Sequence, residues 1–367
     1  MSTNLTKKID NKFFMNLAFN QAKINLGNTK ENPSVGCVIT KNNSIVGAGF
    51  TGLNGRPHAE HYAIKNSREN LKNCNLYVTL EPCSNFGKTP PCVNEIVKNK
   101  FKKVYFSIKD PDLRSYNKSK KKLIKSKIKV NIGILSEKVN NFYKSYILFK
   151  KNELPFVTCK LALSKDFFAI NKKKEWITNK YSRGRVHLMR SSHDSLITSS
   201  ETIRIDNPIL NCRVNGLEKR SPTIIILDNS LKISIKSNVI KNHSKYKTII
   251  FHNKIIKNKI KFLKKIGIKT YKIPLNIDGN LDLKKALLKV QTLGFSRILV
   301  ESGLKLSKSF LKENLVNDLK IFLSNKKLVK KGDGSFKKNF KYLVKTTGYK
   351  TEKVNLFNDK LLTFKIK

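Results

Sequence analysis

The sequence predicts an α/β protein of two layered domains, and three observations predict it. The chain has 367 residues, enough for about two domains of ordinary size, each burying its own core. Short apolar runs alternate with helix-compatible stretches along nearly the whole length. The alternation pauses once, in a Lys-rich helical stretch over 137–151, and restarts after Pro155, so the boundary falls near Asn152 and the domains are 1–151 and 152–367.

In the first domain Phe13, Phe14, Leu17 and Ala18 stand at helical spacing, residues 35–46 read as a hairpin, and a helix opens near His58. LYVTL (76–80), KVYFSI (103–108) and KVNIGI (129–134) follow as strands, each preceded by helix-compatible sequence. The second domain repeats the pattern. FVTCKLAL after Pro155 is strand-like, a helix covers 180–192, and DSLIT from Asp194, TIIILD from Thr223 and TIIF from Thr248 are strands; then come a helix from Leu281, RILVES from Arg297 and IFLS from Ile321. No Gly-x-Gly-x-x-Gly fingerprint is present, so a standard Rossmann site is not supported.

Hydrophobic residues make up 39% and charged residues 27% of the chain, and the mean hydropathy is −0.39; these values fit a soluble globular protein at the polar end of the range. The formal charge of +50 has the size of a nucleic-acid signature, but 65 of the 75 basic residues are Lys and they are spread along the chain. Recognition surfaces concentrate Arg. Segments such as IIKNKIKFLKK (255–265) mark the excess as a bias in residue usage, although its field attracts phosphorylated small molecules. No apolar run reaches the roughly 18–20 residues of a membrane span, and residues 1–14 lack a signal-peptide core, so the expected compartment is the cytoplasm. With six Cys in a reducing compartment, any clustered pair reads as ligand or catalyst before disulfide.

Such a cluster lies in the first domain. Pro57-His58-Ala59-Glu60 is followed by Glu81-Pro82-Cys83 and, after SNFGKTPP, by Cys92. One imidazole and two thiolates make a three-ligand zinc site whose fourth position holds water. Zinc brings that water towards neutral ionisation, hydroxide attacks an amino-bearing ring carbon, and Glu60 carries the proton to the departing ammonia. The His-x-Glu and Pro-Cys pattern is the signature of zinc deaminases. His61 reads as a packing or surface residue, because adjacent helix positions diverge; Cys37 and Cys74 read as core.

The interval between Cys83 and Cys92 exceeds the Cys-x-x-Cys of nucleoside and RNA deaminases, and TLEPCSNFGKTPPC (79–92) resembles the zinc motif of the bifunctional riboflavin-biosynthesis deaminase/reductase family. ENPSVGCVI (31–39) and GRPHAEHYAI (55–64) resemble that family too, and the likeness covers nearly the whole chain. It implies a cytidine-deaminase-like zinc domain followed by a dihydrofolate-reductase-like domain, both three-layered. His58, Cys83 and Cys92 then hold zinc and Glu60 is the proton carrier in removing the pyrimidine 2-amino group of a diaminopyrimidine ribosyl phosphate. Asn32 is implied as a substrate contact, beside its reading as a turn former. One departure is DLRSYNKSKK after Asp110-Pro111, where the family has a Gly-x-Gly segment.

In the second domain KLALSKDF (160–167) and MRSSHDSLITSSETIRIDNPIL (189–210) resemble the family's reductase, with Phe167 and Ser302 standing where Gly is usual. The resemblance implies that Arg190 and Arg213 hold the ribose phosphate, that Leu210 and Glu301 line the substrate site, and that NADPH is contacted by Ala162, Trp176, Thr202, Asp206, Asn229 and the run Gly303, Leu304, Lys305 and Leu306. On the residues alone, Arg190 is equally a carbonyl cap at a helix end and Asp206-Asn207-Pro208 a plain turn. VESGLKLSKSFL (300–311) reads as strand, tight turn and helix start, whose free amides at 303–306 suit a phosphate. Lys160 and Asp166 are the polar candidates for the reductase proton donor. A homo-oligomer acting on a phosphorylated pyrimidine, with no nucleic-acid or membrane partner, is the expected assembly. Two rivals stay open here: an RNA-binding base deaminase, and a deaminase whose reductase half has decayed.

Overall fold

The computed structural model describes residues 10–169, 176–328 and 335–367; residues 1–9, part of the amino-terminal stretch read above, lie outside them. The chain divides into two compact units, Met1–Glu153 and Leu154–Lys367.

The first unit holds a five-stranded sheet in the order β2-β1-β3-β4-β5, made of β1 (Gly36–Lys41), β2 (Ser44–Phe50), β3 (Asn75–Leu80), β4 (Lys103–Ile108) and β5 (Lys129–Ile132). β1 runs antiparallel to β2 and β3, and β3, β4 and β5 are parallel. Alternation along the strands sends Val38, Tyr77 and Tyr105 to one face, where Phe14, Met15 and Ala18 of α1 (Asn11–Ala22) cover them. Ile39, Leu76 and Val104 go to the other face, under Ala63 of α2 (Ala59–Lys65) and Ile96 of α3 (Cys92–Lys98). This is the layered sandwich the alternation predicts. α2 lies so close to β2 that a Cβ on Gly49 would stand 2.3 Å from the Ala59 carbonyl oxygen, so glycine there sets the seat of the helix.

The second unit builds, among the described residues, a nine-stranded sheet in the order β10-β9-β8-β7-β11-β6-β12-β14-β13. Its strands are β6 (Phe156–Leu163), β7 (Ser195–Ser199), β8 (Thr223–Leu227), β9 (Thr248–His252), β10 (Lys269–Lys272), β11 (Arg297–Glu301), β12 (Asp318–Leu323), β13 (Lys350–Thr351) and β14 (Lys360–Lys365). From β10 to β12 all neighbours are parallel; β14 pairs antiparallel with β12 and with β13. Ile197, Ile225 and Val300 pack with Leu287 and Phe310 on one face, whereas Leu196, Ile224 and Leu299 pack with Val186 and Ile203 on the other. β10, β13 and β14 carry no strong alternation and are not singled out by the pattern. IIKNKIKFLKK, read as compositional bias, contains the helix Lys257–Lys265, whose Leu263 is fully buried.

Candidate active site

In the first unit the strands deliver the metal-ligand candidates to one place. His58 is the N-cap of α2, Glu60 lies in its first turn, Cys83 follows the carboxy end of β3, and Cys92 opens α3 behind Pro91. The candidate ligand atoms of His58, Cys83 and Cys92 all fall within 4.8 Å of one another. Tetrahedral zinc, with bonds of about 2.0–2.3 Å, places its ligands about 3.5 Å apart. His58 Nδ1 lies 3.3 Å from Cys92 Sγ and 3.5 Å from Cys83 Sγ, so the donor set fits that ion in both chemistry and spacing.

The electrostatics point the same way. Hydrogen bonding from the Cys92 thiol and from His58 lowers Cys83 to about 4, whereas the bond to Cys83 and burial push Cys92 well up. Bound zinc would be held by both sulfurs as thiolates. The Cys92 amide also donates to Cys83 Sγ, at 3.3 Å. Glu60 is buried at 4% exposure; burial first, and then the Cys83 thiolate, push its carboxyl up to about 7, the range in which a carboxylate exchanges protons with water near neutral pH.

Three features around this site are not legible in the sequence. The buried Glu81 carboxylate accepts from the amides of Asp110 (3.3 Å) and Asn117 (3.0 Å) and from Ser119 Oγ (2.8 Å), tying the turn that carries Cys83 to the segment departing from the family's Gly-x-Gly. Asn32 donates its side-chain amide to the Gly55 carbonyl at 3.2 Å, bracing the loop before His58. His61, on the surface as expected, has a partner: its Nδ1 lies 2.8 Å from Glu95 Oε1 on α3. Cys37 and Cys74 are both fully buried.

In the second unit the candidates gather at the carboxy edge of the parallel strands, the usual ligand edge of such sheets. Glu301 and Lys160 are register partners on β11 and β6, and their charged groups stand 3.8 Å apart. Arg190, in the helix Lys180–Ser191, donates Nε and Nη2 to the two Glu301 oxygens, and Nη1 to the Asn211 carbonyl at 2.8 Å. It does not cap its own helix. Burial alone would raise Glu301, but Arg190 and Lys160 hold its carboxyl down to about 2.

Asp206 ends the helix Ser200–Asp206 and acts electrostatically on Lys160. Thr202 Oγ1 accepts from the Gly303 amide at 3.4 Å. Gly303 is the N-cap of the helix Leu304–Lys312, with Gly303 and Lys305 exposed and Leu306 half-buried; only the Leu304 side chain is buried. Leu210 is buried and Arg213 exposed; the Arg213 amide lies 3.2 Å from His187 Nδ1. His187, missed in the sequence, also lies 3.0 Å from the Asn211 carbonyl, and burial, Arg190 and Arg213 hold it down to about 4. Ala162 is half-buried on β6.

Three candidates stand in other company. Asn229 donates to the Gly279 carbonyl at 3.0 Å. Trp176 is 71% exposed, with the Arg183 guanidinium 4.9 Å from its ring centre. Asp166 accepts from Ser164 Oγ (2.6 Å) and from the Leu328 amide (3.1 Å), contacts that brace its turn.

The His58, Cys83 and Cys92 cluster with the buried Glu60 fits a zinc-dependent deaminase, and likeness to known proteins extends the class to a deaminase joined to a reductase. Residues 8–108 match the cytidine and deoxycytidylate deaminase zinc-binding region and residues 155–335 the RibD C-terminal domain. The riboflavin biosynthesis protein RibD of Buchnera aphidicola (subsp. Baizongia pistaciae) is 37% identical over 86% of this chain and 87% of its own, and that of Aquifex aeolicus 33% identical over 88% of each. The chain belongs to the RibD family, bifunctional deaminase/reductases of riboflavin biosynthesis. Among solved structures, Acinetobacter baumannii RibD is similar with a TM-score of 0.83 at 26% identity, covering 96% of this chain and 98% of that one. The Thermotoga maritima diaminohydroxyphosphoribosylaminopyrimidine deaminase/5-amino-6-(5-phosphoribosylamino)uracil reductase gives 0.82 at 28% identity, with the same coverage. Neither the RNA-binding deaminase nor the decayed reductase finds support in these likenesses.

Proposed function

We propose that residues 1–151 deaminate 2,5-diamino-6-ribosylamino-4(3H)-pyrimidinone 5′-phosphate and that residues 152–367 then reduce the ribosyl group of the product to a ribityl chain. The observation that carries the proposal is the convergence of His58, Cys83 and Cys92 within 4.8 Å with Glu60 buried one helical step away. When bound, zinc supplies the Lewis acidity that makes water a nucleophile near neutral pH. Glu60 takes a proton from the attacking water and returns it to the leaving amine, so that one C–N bond is exchanged for C–O and ammonia departs.

In the second step NADPH, when bound, supplies the hydride. The helix start at 303–306, with Thr202, Asp206, Asn229, Ala162 and Trp176, holds the dinucleotide, and the free amides after Gly303 suit its phosphates. Arg213, exposed and cationic, takes the ribose phosphate; Arg190, which the resemblance pairs with it, is bound to Glu301 and to the Asn211 carbonyl, and with Leu210 and Glu301 it lines the substrate. The enzyme is expected to work in the cytoplasm as a homo-oligomer, which light scattering on the purified protein checks; no described helix is long and apolar enough to cross a membrane.

A coupled assay tests the proposal: ammonia release from the diaminopyrimidine ribosyl phosphate without cofactor, followed by NADPH oxidation on its addition. Both signals are expected. Ammonia release without NADPH oxidation would overturn the second half, and the absence of both would overturn the whole.

A further inference from the structure

We propose that His61 and Glu95 form a positioning clamp for the metal ligands, fixing the first turns of α2 and α3 at the separation that zinc requires; the inference rests on the deaminase reading of the same site. His58 and Cys92 belong to two different helices, and each helix is only seven residues long. Helices this short have little stiffness of their own, so the distance between their first turns depends on what joins them. His61 lies three residues beyond His58 and Glu95 three beyond Cys92, which puts each one turn behind a ligand on its own helix. Their side chains meet at 2.8 Å, His61 Nδ1 to Glu95 Oε1.

The carboxylate is committed to this contact. Its second oxygen, Glu95 Oε2, is buried without a hydrogen-bond partner among the described residues, so His61 is the hydrogen-bond partner that orients the group, whose charge also reaches Cys92. The pair is half-exposed, at 47% and 35% for the two side chains, and it bridges the rim on the solvent side of two helices whose inner faces are seated by Ala63 and Ile96. The core therefore fixes the depth of each helix, and the pair fixes their lateral spacing. A contact acting through the ligand-bearing helices, and not on the metal itself, changes how long the ion is held.

The test is the rate at which zinc passes from the purified full-length protein to a chromophoric chelator. His61→Leu and Glu95→Gln should each release zinc about two- to fivefold faster, the scale of a half-exposed polar contact acting through the helices that carry the ligands. The double variant should be no faster than either single, and the reversed pair, His61→Glu with Glu95→His, should return the rate towards that of the parent. Unchanged rates in the single variants, or a double variant equal to the product of the two, would overturn the clamp. If a single variant fails to fold, failure of the reversed pair to recover zinc retention overturns it as well. A parent protein that binds no zinc overturns the deaminase reading itself and the clamp with it, whereas zinc held equally by parent and variants overturns the clamp alone.

Discussion

Arg190 and Glu301, 111 residues apart in the chain, meet in a two-pronged ion pair, with Nε 2.9 Å from Oε2 and Nη2 2.7 Å from Oε1. Their side chains are only 10% and 15% exposed. A paired guanidinium and carboxylate in such a place are costly to separate, because each is left charged and dehydrated. Arg190→Ala should lower the unfolding free energy by about 3–5 kcal/mol; the midpoint of urea unfolding checks it, and a shift under a third of that would show the pair to be well hydrated.

The same pair predicts a pH dependence. Glu301 is held down to about 2 from an ordinary 4.5, so the native state binds fewer protons than the unfolded chain between these values. Its contribution is fully present above the unfolded value and is lost as pH falls towards 2. In the parent protein, stability should therefore decline more steeply below pH 4.5 than in Glu301→Gln, a difference visible in thermal melts across that window.

Arg213 should behave differently from Arg190. It is exposed, and its guanidinium donates to Asn211 Oδ1 at 3.3 Å, a marginal contact. Replacing it with Ala should leave stability within about 0.5 kcal/mol, yet raise KM for the phosphorylated substrate by about 10- to 100-fold, the scale of one charged hydrogen bond. An unchanged KM in NADPH-oxidation kinetics would remove Arg213 from the phosphate site.

Glu60→Gln should cut ammonia release by about 10²- to 10⁴-fold, the usual share of a general acid–base group. Zinc content, measured by atomic absorption, should stay at that of the parent, and NADPH oxidation on pre-deaminated substrate should continue. Removing zinc with a chelator should give the same split, abolishing ammonia release and sparing the reductase; loss of both activities together would contradict the division of labour.

Gly49→Ala probes the seat of α2. The added methyl would stand 2.3 Å from the Ala59 carbonyl oxygen and 2.6 Å from the Ala63 amide nitrogen, both backbone atoms that cannot turn aside. The helix must move, at a cost of about 1–3 kcal/mol, and His58 and Glu60 move with it. Zinc retention and ammonia release should fall together, with the reductase untouched.

Legible along the chain are the alternation of strands and helices, the β1–β2 hairpin, the strands β3 to β9, β11 and β12 within a few residues, and the group His58, Glu60, Cys83 and Cys92. Those features are local: they depend on periodicity, on Pro and Gly at element ends, and on residue types whose chemistry is narrow. Other features came only from the tertiary structure. The edge strands β10 and β13, and β14 beside the latter, take their form from a neighbour and not from their own pattern. Glu81 looks like one more carboxylate until the fold brings the 110–119 segment over it. Arg190 is equally a helix cap or an anion grip in one dimension, and it becomes the partner of Glu301 because the fold brings the last turn of the helix Lys180–Ser191 to the carboxy end of β11. Likewise the shared three-residue offset of His61 and Glu95 from their ligands has no meaning until α2 and α3 lie side by side. Side-chain type and period are written along the chain, whereas the partner of a charge depends on which segments the buried apolar faces bring together.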